Sequence, residues 1–388
     1  MKFDFKRTAA GALALALTAA LCGCDNGYLM TVDEMSIRSG IYLSFQQSAY
    51  NEAYEKISEE SGDDSSSTSE VDVFAQTIEG KSASEWIKEQ TLDEVRKFVA
   101  VQRLCEEKGI ALSDEELSEI NSDIKSTWDE ENFYVQYMYG FNTAGEYYES
   151  LGVGIESLRE IRKANELSDK LFLRYFGSDG ETPVTTEELN EHLTENYAVM
   201  KYISIAYADD DAKAQANEAA EAYAERLNGG ESFIDVKYDA DLNAAQKAAL
   251  SAAQSSYTED NEEGLTEEEY CQKAVDEATA EKAESLDDLD TFVPKENSSL
   301  DEKLTEYVWN AADDGKAAVF EGESYIYVVV REDITTKSGW IEENNLSLLK
   351  AIKSDEYDGL IELTYQNYDV DLDEYLVNKK YAPEKTLK

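Results

Sequence analysis

Between Tyr197 and Val236 the apolar positions change period from that of a strand to that of a helix. Met200 to Tyr207 alternates, with Ile203, Ile205 and Tyr207 on one side and Tyr202, Ser204 and Ala206 on the other, which predicts a strand. Ala216, Ala220, Tyr223 and Leu227 then fall at helical spacing, and Asn228-Gly229-Gly230 supplies a stop. A second strand is predicted at Ser324 to Arg331 (SYIYVVVR). Nearly everything before this unit has a helical period. The pattern predicts a mostly helical α+β chain, with one small α/β unit set between helical arms.

The arms can be followed in order. Ile41, Tyr42, Phe45, Ala49 and Tyr54 mark one face of a helix, and 58–72 (SEESGDDSSSTSEVD) predicts a disordered loop or hinge. Ser82 to Lys108 is a helix with Trp86, Leu92, Val95, Val99 and Leu104 on its apolar side, closed by Gly109. Ser113-Asp114-Glu115-Glu116 is a capping box, Ser157 to Glu160 caps a helix running to about Phe176, and Thr185 to Glu188 caps the helix that enters the central unit. From Asp239 to Asp290 the chain is acidic and alanine-rich, helical in parts and loose in others. Phe292-Val293-Pro294 returns to order, Leu304 to Ala312 is a short helix, and Glu342 to Leu376 forms a last helical arm with Leu348, Ile352, Leu360, Leu363 and Tyr365 apolar.

One stretch breaks the amphipathic pattern. Phe133, Tyr134, Tyr137, Tyr139, Phe141, Tyr147 and Tyr148 crowd into 133–148, with Met138 among them. Such a cluster usually fills a helix corner. The alternative is an adaptable apolar groove that holds unfolded segments.

Composition narrows the function classes. With 388 residues and 42% hydrophobic content the chain can build two or three cored domains. Its formal charge is −49, a field that repels nucleic-acid backbones and excludes DNA or RNA as a partner. Lys2, Lys6 and Arg7 precede a short apolar stretch, Ala9 to Leu21, so 1–23 is expected to be a signal peptide. Leu21-Cys22-Gly23-Cys24 resembles the lipobox of bacterial lipoproteins, which implies lipidation of Cys24 and anchoring on the outer face of a membrane. An ordinary signal peptide with a chance cysteine is the bland alternative.

Chemistry-bearing residues are scarce. Cys105 and Cys271 are far apart in helical patterns and are expected to be isolated thiols, and no Cys/His cluster provides a structural zinc site. The one histidine, His192, lies in a helical pattern as a solvated position, with no active-site turn around it. Asp239-x-Asp241-x-Asn243 and Asp369-x-Asp371-x-Asp373 open like calcium loops, but Ala244 and Glu374 replace the required glycine. A glycosidase-type carboxylate pair is not singled out among so many acids. No cofactor and no metal site are implied.

Three stretches resemble the SurA/PrsA class of extracytoplasmic foldases, in particular lipoproteins of Gram-positive bacteria. They are Leu104-Cys-Glu-Glu-Lys-Gly109-Ile-Ala-Leu-Ser113-Asp-Glu-Glu116, then Val184-Thr-Thr-Glu-Glu188-Leu through Tyr202-Ile203 to Gly230-Glu231-Ser232-Phe233, and last Phe292-Val293-Pro294 with Tyr307-Val-Trp309, Asp314-Gly315-Lys316 and Ser324 to Val328. The resemblance implies a helical chaperone domain over 24–195, a parvulin-like prolyl isomerase domain over 196–335 with an acidic insert at 239–290, and a helical arm, 336–388, packing on the first. Parvulins place a histidine in the first strand and another in the last. The matching positions here are Tyr202 and Ile326, so the resemblance implies a degenerate domain with no catalytic residues.

The expected function is a membrane-anchored extracytoplasmic chaperone. Its clients would be unfolded or exported polypeptides, held through Phe133, Tyr134, Tyr137, Met138 and Phe141 and the cleft between lobes. An active peptidyl-prolyl isomerase is the enzyme alternative. A ligand-binding lipoprotein is less favoured, because the repeated βαβ pattern of such two-lobed proteins is missing.

Overall fold

The structure is a computed structural model that describes residues 27–61, 72–258, 264–281, 289–296 and 298–387. The expected signal peptide, Cys24 and residues 62–71 of the expected loop lie outside the described residues. The fold is mostly helical α+β, with three small antiparallel sheets among the described residues. It divides into two compact units, one made of residues up to Val184 together with those from Leu349, the other of Thr185–Leu348.

In chain order the first unit runs β1 (Tyr28–Val32), β2 (Met35–Arg38), α1 (Ser39–Ser61), β3 (Thr77–Ile78), β4 (Lys81–Ser82), α2 (Ala83–Lys108), α3 (Asp114–Asp129), α4 (Phe133–Tyr139), α5 (Ala144–Ser150) and α6 (Ile155–Phe176). The second unit follows with α7 (Thr186–Asn196), β5 (Tyr197–Ala206), α8 (Asp210–Asn228), α9 (Phe233–Ser256), α10 (Glu267–Glu281), β6 (Thr291–Pro294), α11 (Glu302–Asn310), β7 (Ala317–Glu321), β8 (Tyr325–Glu332) and α12 (Ser338–Glu343). Helix α13 (Asn345–Tyr365) leads back to the first unit, which β9 (Val370–Leu372) and α14 (Pro383–Thr386) complete.

The start of the first unit is not helical. β1 and β2 form a hairpin whose turn residues, Asp33 and Glu34, take φ of 46° and 65°, the positive values that a two-residue turn of matching twist demands. β9 pairs with the other side of β1, Met30 opposite Leu372. Early and late strands of the unit thus share a sheet, and Leu29, Val32, Ile37, Ile41, Val95 and Val377 bury together around it. The late residues are tied in further by polar contacts. Tyr365 donates to both Asp93 carboxylate oxygens at 2.9 and 3.0 Å, and Gln46 Nε2 donates to the Tyr381 carbonyl at 2.8 Å.

Several local expectations shift. Helix α1 continues through Ser61, so 58–61 is helix, and its inner face uses Ala53 at 0% exposure where Tyr54 is 44% exposed. Helix α6 starts at Ile155 with Gly154 at its N-cap, which leaves Ser157 buried inside the helix and not at its start. The last helical arm ends at Tyr365. Its buried residues are Leu348, Leu349, Tyr357, Ile361 and Tyr365, the last four at multiples of four, while Leu363 points to solvent.

The second unit is built on a four-stranded antiparallel sheet in the order β6-β5-β8-β7. On one face, Ile203, Ile326 and Val328 meet Ala216, Ala220 and Ala224 of α8, whose small side chains let the helix lie close. On the other face, Met200, Val293 and Val329 are covered by Leu304 and Val308 of α11. The acidic stretch after Asp239 is helical as far as Ser256 and again over Glu267–Glu281, while 259–263 and 282–288 lie outside the described residues. Arg226 clamps the start of α9 by pairing with both Glu231 and Asp239.

Candidate functional site

Helices α4 and α5 form a short hairpin whose loop is closed by its own polar groups. The Asn132 side chain accepts from the Val135 N–H at 3.0 Å and so caps α4, and Gly140 ends it at a φ of 77°. Thr143 Oγ1 accepts from the Glu146 N–H at 3.1 Å, while Glu146 returns by accepting from the Asn142 N–H at 2.8 Å. The Asn132 N–H donates across the hairpin to the Asn142 carbonyl at 2.9 Å. The turn is well specified, but α4 has only two turns and buries one side chain, Val135.

The aromatic residues of this hairpin do not fill a corner. Phe133 is 80% exposed, Tyr137 79% and Tyr134 62%, with Met138 and Tyr139 also exposed and Phe141 half-buried. Their rings touch one another. Phe133 stacks on Tyr137, and a chain of contacts runs from Tyr134 through Tyr139, Tyr147 and Tyr148 to Trp128, the Tyr139–Tyr147 centroids lying 4.4 Å apart. Trp128 and Tyr148 border a cavity of about 380 Å³ with Ile124, Leu158 and Ile161. Each exposed large ring forfeits roughly 1.5–3 kcal/mol of burial. Exposed rings in mutual contact form an apolar patch of the kind found at interaction surfaces. Exposed carboxylates at Asp129, Glu130, Glu131, Glu146 and Glu149 flank it along the chain.

Sequence reasoning named the exposed side chains and missed their support. Trp128 and Gly145 fix the hairpin, because Gly145 lies against the Trp128 indole with no room for a side chain. The lone glycine within the aromatic run, Gly145, is the signal that could have pointed there.

In the second unit the two positions expected to match parvulin histidines fall on opposite faces of the sheet. Tyr202 is half-buried on the α11 side, and Ile326 is fully buried on the α8 side among Ile203 and Val328. Directly opposite Tyr202 on β8 is Val329, and the Tyr327 ring, diagonal to it on the same face, lies 6.0 Å away between centroids. Phe320 and Tyr307 stack at 4.8 Å and continue the same ring layer, Phe320 touching Tyr327. This face carries aromatic rings and aliphatic groups, with burial pushing the Tyr327 and Tyr307 hydroxyls up from the ordinary tyrosine range. The chain's one histidine, His192, is on α7 and not in that layer.

His192 is on α7, half-buried and not solvated as its position suggested. Its ring leans on Tyr197 at 6.1 Å, its Nδ1 accepts from Asn196 Nδ2 at 3.1 Å, and its Nε2 is buried without a partner. Cys105 and Cys271 are buried free thiols, and burial pushes the Cys105 thiol up to about 11, far from a reactive thiolate.

No protein-family model and no curated protein matches the chain. Among solved structures, the foldase protein PrsA from Streptococcus pneumoniae is similar over 75% of this chain and 91% of its own, at 13% identity and a TM-score of 0.29. PrsA from Bacillus subtilis is similar over 81% of this chain and 97% of its own, at 14% identity and the same TM-score of 0.29. These belong to the class that the sequence motifs resemble.

Proposed function

We propose that the protein is a membrane-anchored extracytoplasmic chaperone that holds unfolded, exported polypeptides and has lost prolyl isomerase activity. The observation that supports this most is the exposed ring surface of α4 and α5, with Phe133, Tyr134, Tyr137 and Met138 presented on a hairpin closed by its own hydrogen bonds. Mobile thioether and flat ring surfaces accept many sequences, which suits a holder of diverse clients. The charge of −49 keeps such a surface soluble and the protein apart from its own copies. Phe141, half-buried at the hairpin bend, would contribute from the side. Anchoring through Cys24 rests on the Leu21-Cys22-Gly23-Cys24 motif.

Loss of isomerase activity is supported by the ring layer around Tyr202 and Tyr327. Rotation about an X-Pro bond, with a barrier near ~20 kcal/mol, needs a shaped pocket that accepts the proline. Tyr307, Phe320 and Tyr327 occupy that face here. The test is aggregation of an unfolded protein, with and without the soluble chain from Asp25, beside a proline isomerisation assay on the same preparation. Suppressed aggregation without faster isomerisation is the expected result. Unchanged aggregation overturns the chaperone reading, and faster isomerisation overturns the loss of activity.

A further inference from the structure

Among the described residues, the sheet of the second unit has an unpaired edge beside a groove. β6 covers β5 only from Tyr197 to Met200, whereas β8 pairs with β5 as far as Ala206. The Lys295 N–H donates to the Asn196 carbonyl at 3.0 Å, and the Tyr207 N–H donates to the Ser324 carbonyl at 3.2 Å. Because ladder bonds alternate along an antiparallel strand, even-numbered residues of β5 aim their backbone groups toward β6 and odd-numbered ones toward β8. The N–H and C=O groups of Tyr202, Ser204 and Ala206 therefore point to the side that β6 has left. Among the described residues no strand pairs with them there. The chain departs from that line at Asp290, whose carboxylate pairs with Lys337 at 2.8 Å and faces Lys201 at 3.6 Å.

Proteins normally guard such an edge with charge, proline or a bulge. From Tyr202 to Ala206 (YISIA) there is none, and Ser204 and Ala206 are exposed. Against them lies a groove of about 1290 Å³, bounded by Tyr223 of α8, Ala244 and Leu250 of α9 and Cys271 of α10. Glu267 and Glu268 outnumber Lys247 among its charged lining groups.

We propose that the open edge Tyr202–Ala206 binds an extended, cationic polypeptide segment by strand addition, with alternate small or aliphatic side chains entering this groove. Backbone pairing supplies affinity without demanding a sequence, and the acidic lining selects charge. The site rests on sheet geometry and not on the aromatic surface, so the two fail separately.

The test uses the full chain in lipid nanodiscs and a fluorescein-labelled Lys-Val repeat octapeptide, read by fluorescence anisotropy. A counterpart of the same composition, N-methylated along its centre, keeps its charge and loses its donors. The parent peptide should bind, and the N-methylated one should bind about tenfold more weakly or worse. Ser204→Pro removes an N–H that faces away from β8, and Ala206→Lys adds an edge guard; each should weaken the parent peptide by a similar factor. Phe133→Ala should leave this binding unchanged. Equal binding of both peptides overturns the proposal, as does unchanged binding by Ala206→Lys. No binding of either peptide, as when the chain's own residues fill the edge, also overturns it.

Discussion

Gly145 lies against the Trp128 indole so closely that an added Cβ would fall 2.6 Å from its Nε1. The indole cannot retreat freely, because its other contacts include a stack on Tyr148 with ring planes 11° apart. Gly145→Ala is therefore expected to lower stability by about 1–3 kcal/mol through overpacking, more than the roughly 1 kcal/mol that alanine gains over glycine in an open helix. A lower Tm together with red-shifted tryptophan emission is the expected readout. A raised Tm would mean that the hairpin is not held at this point.

Tyr365 and Asp93 join residues far apart in the chain of the first unit through two hydrogen bonds. Burial comes first among the causes that hold the Tyr365 hydroxyl well above the ordinary tyrosine range, with Asp93 adding to it, so it stays protonated and donating. Tyr365→Phe keeps the packing and removes the donor. Urea unfolding should show a loss of about 1 kcal/mol, since Asp93 retains access to water. A neutral result would leave the ends of this unit held by the β1–β9 pairing and the apolar core alone.

The Ser113 capping box should carry a pH signature. Glu116 is pulled down from the ordinary 4.5 to about 2, first by its hydrogen bond with Lys170 and then by the Ser113 N–H. A carboxylate depressed in the folded state stabilises fully above its unfolded pKa, and that contribution is lost as pH falls through the folded one. Stability should therefore decline from about pH 4.5 toward 2 through this group. Glu116→Gln should flatten that part of the curve. An unchanged acid limb in the variant contradicts the assignment.

Register decides what happens when histidines are put into the sheet. Tyr202→His places an imidazole in a half-buried ring layer and should be tolerated. Ile326→His buries one in a core position at 0% exposure and should destabilise by about 3 kcal/mol or more. Neither variant is expected to accelerate proline isomerisation, because Phe320 and Tyr307 remain on the face. Acceleration by the double variant would show that the pocket survives.

These two positions mark where sequence reading reaches its limit. The capping boxes at Ser113/Glu116 and Thr185/Glu188 were legible, because three residues contain the whole interaction. β5 was legible from its alternation, with faces correctly sorted. β1, β2 and β9 were not, since they are short and Met30 finds Leu372 only across most of the chain. The two carried-over positions, Tyr202 and Ile326, are not cross-strand partners: Tyr202 pairs with Val329 and Ile326 with Ile205, and an odd offset along a strand changes the face. The aromatic cluster was visible as composition. Its exposure was not, because periodicity records which residues could bury together and not whether anything covers them.

The most direct measurement is site-specific photo-crosslinking to an unfolded client. A photoreactive residue would replace Tyr137 in one variant and Tyr375, also exposed at 71%, in another. The proposed function predicts client adducts from position 137, lost when the client is folded, and few from position 375. Equal adducts from both, or none from 137 while aggregation is still suppressed, would contradict the aromatic hairpin as the holding surface.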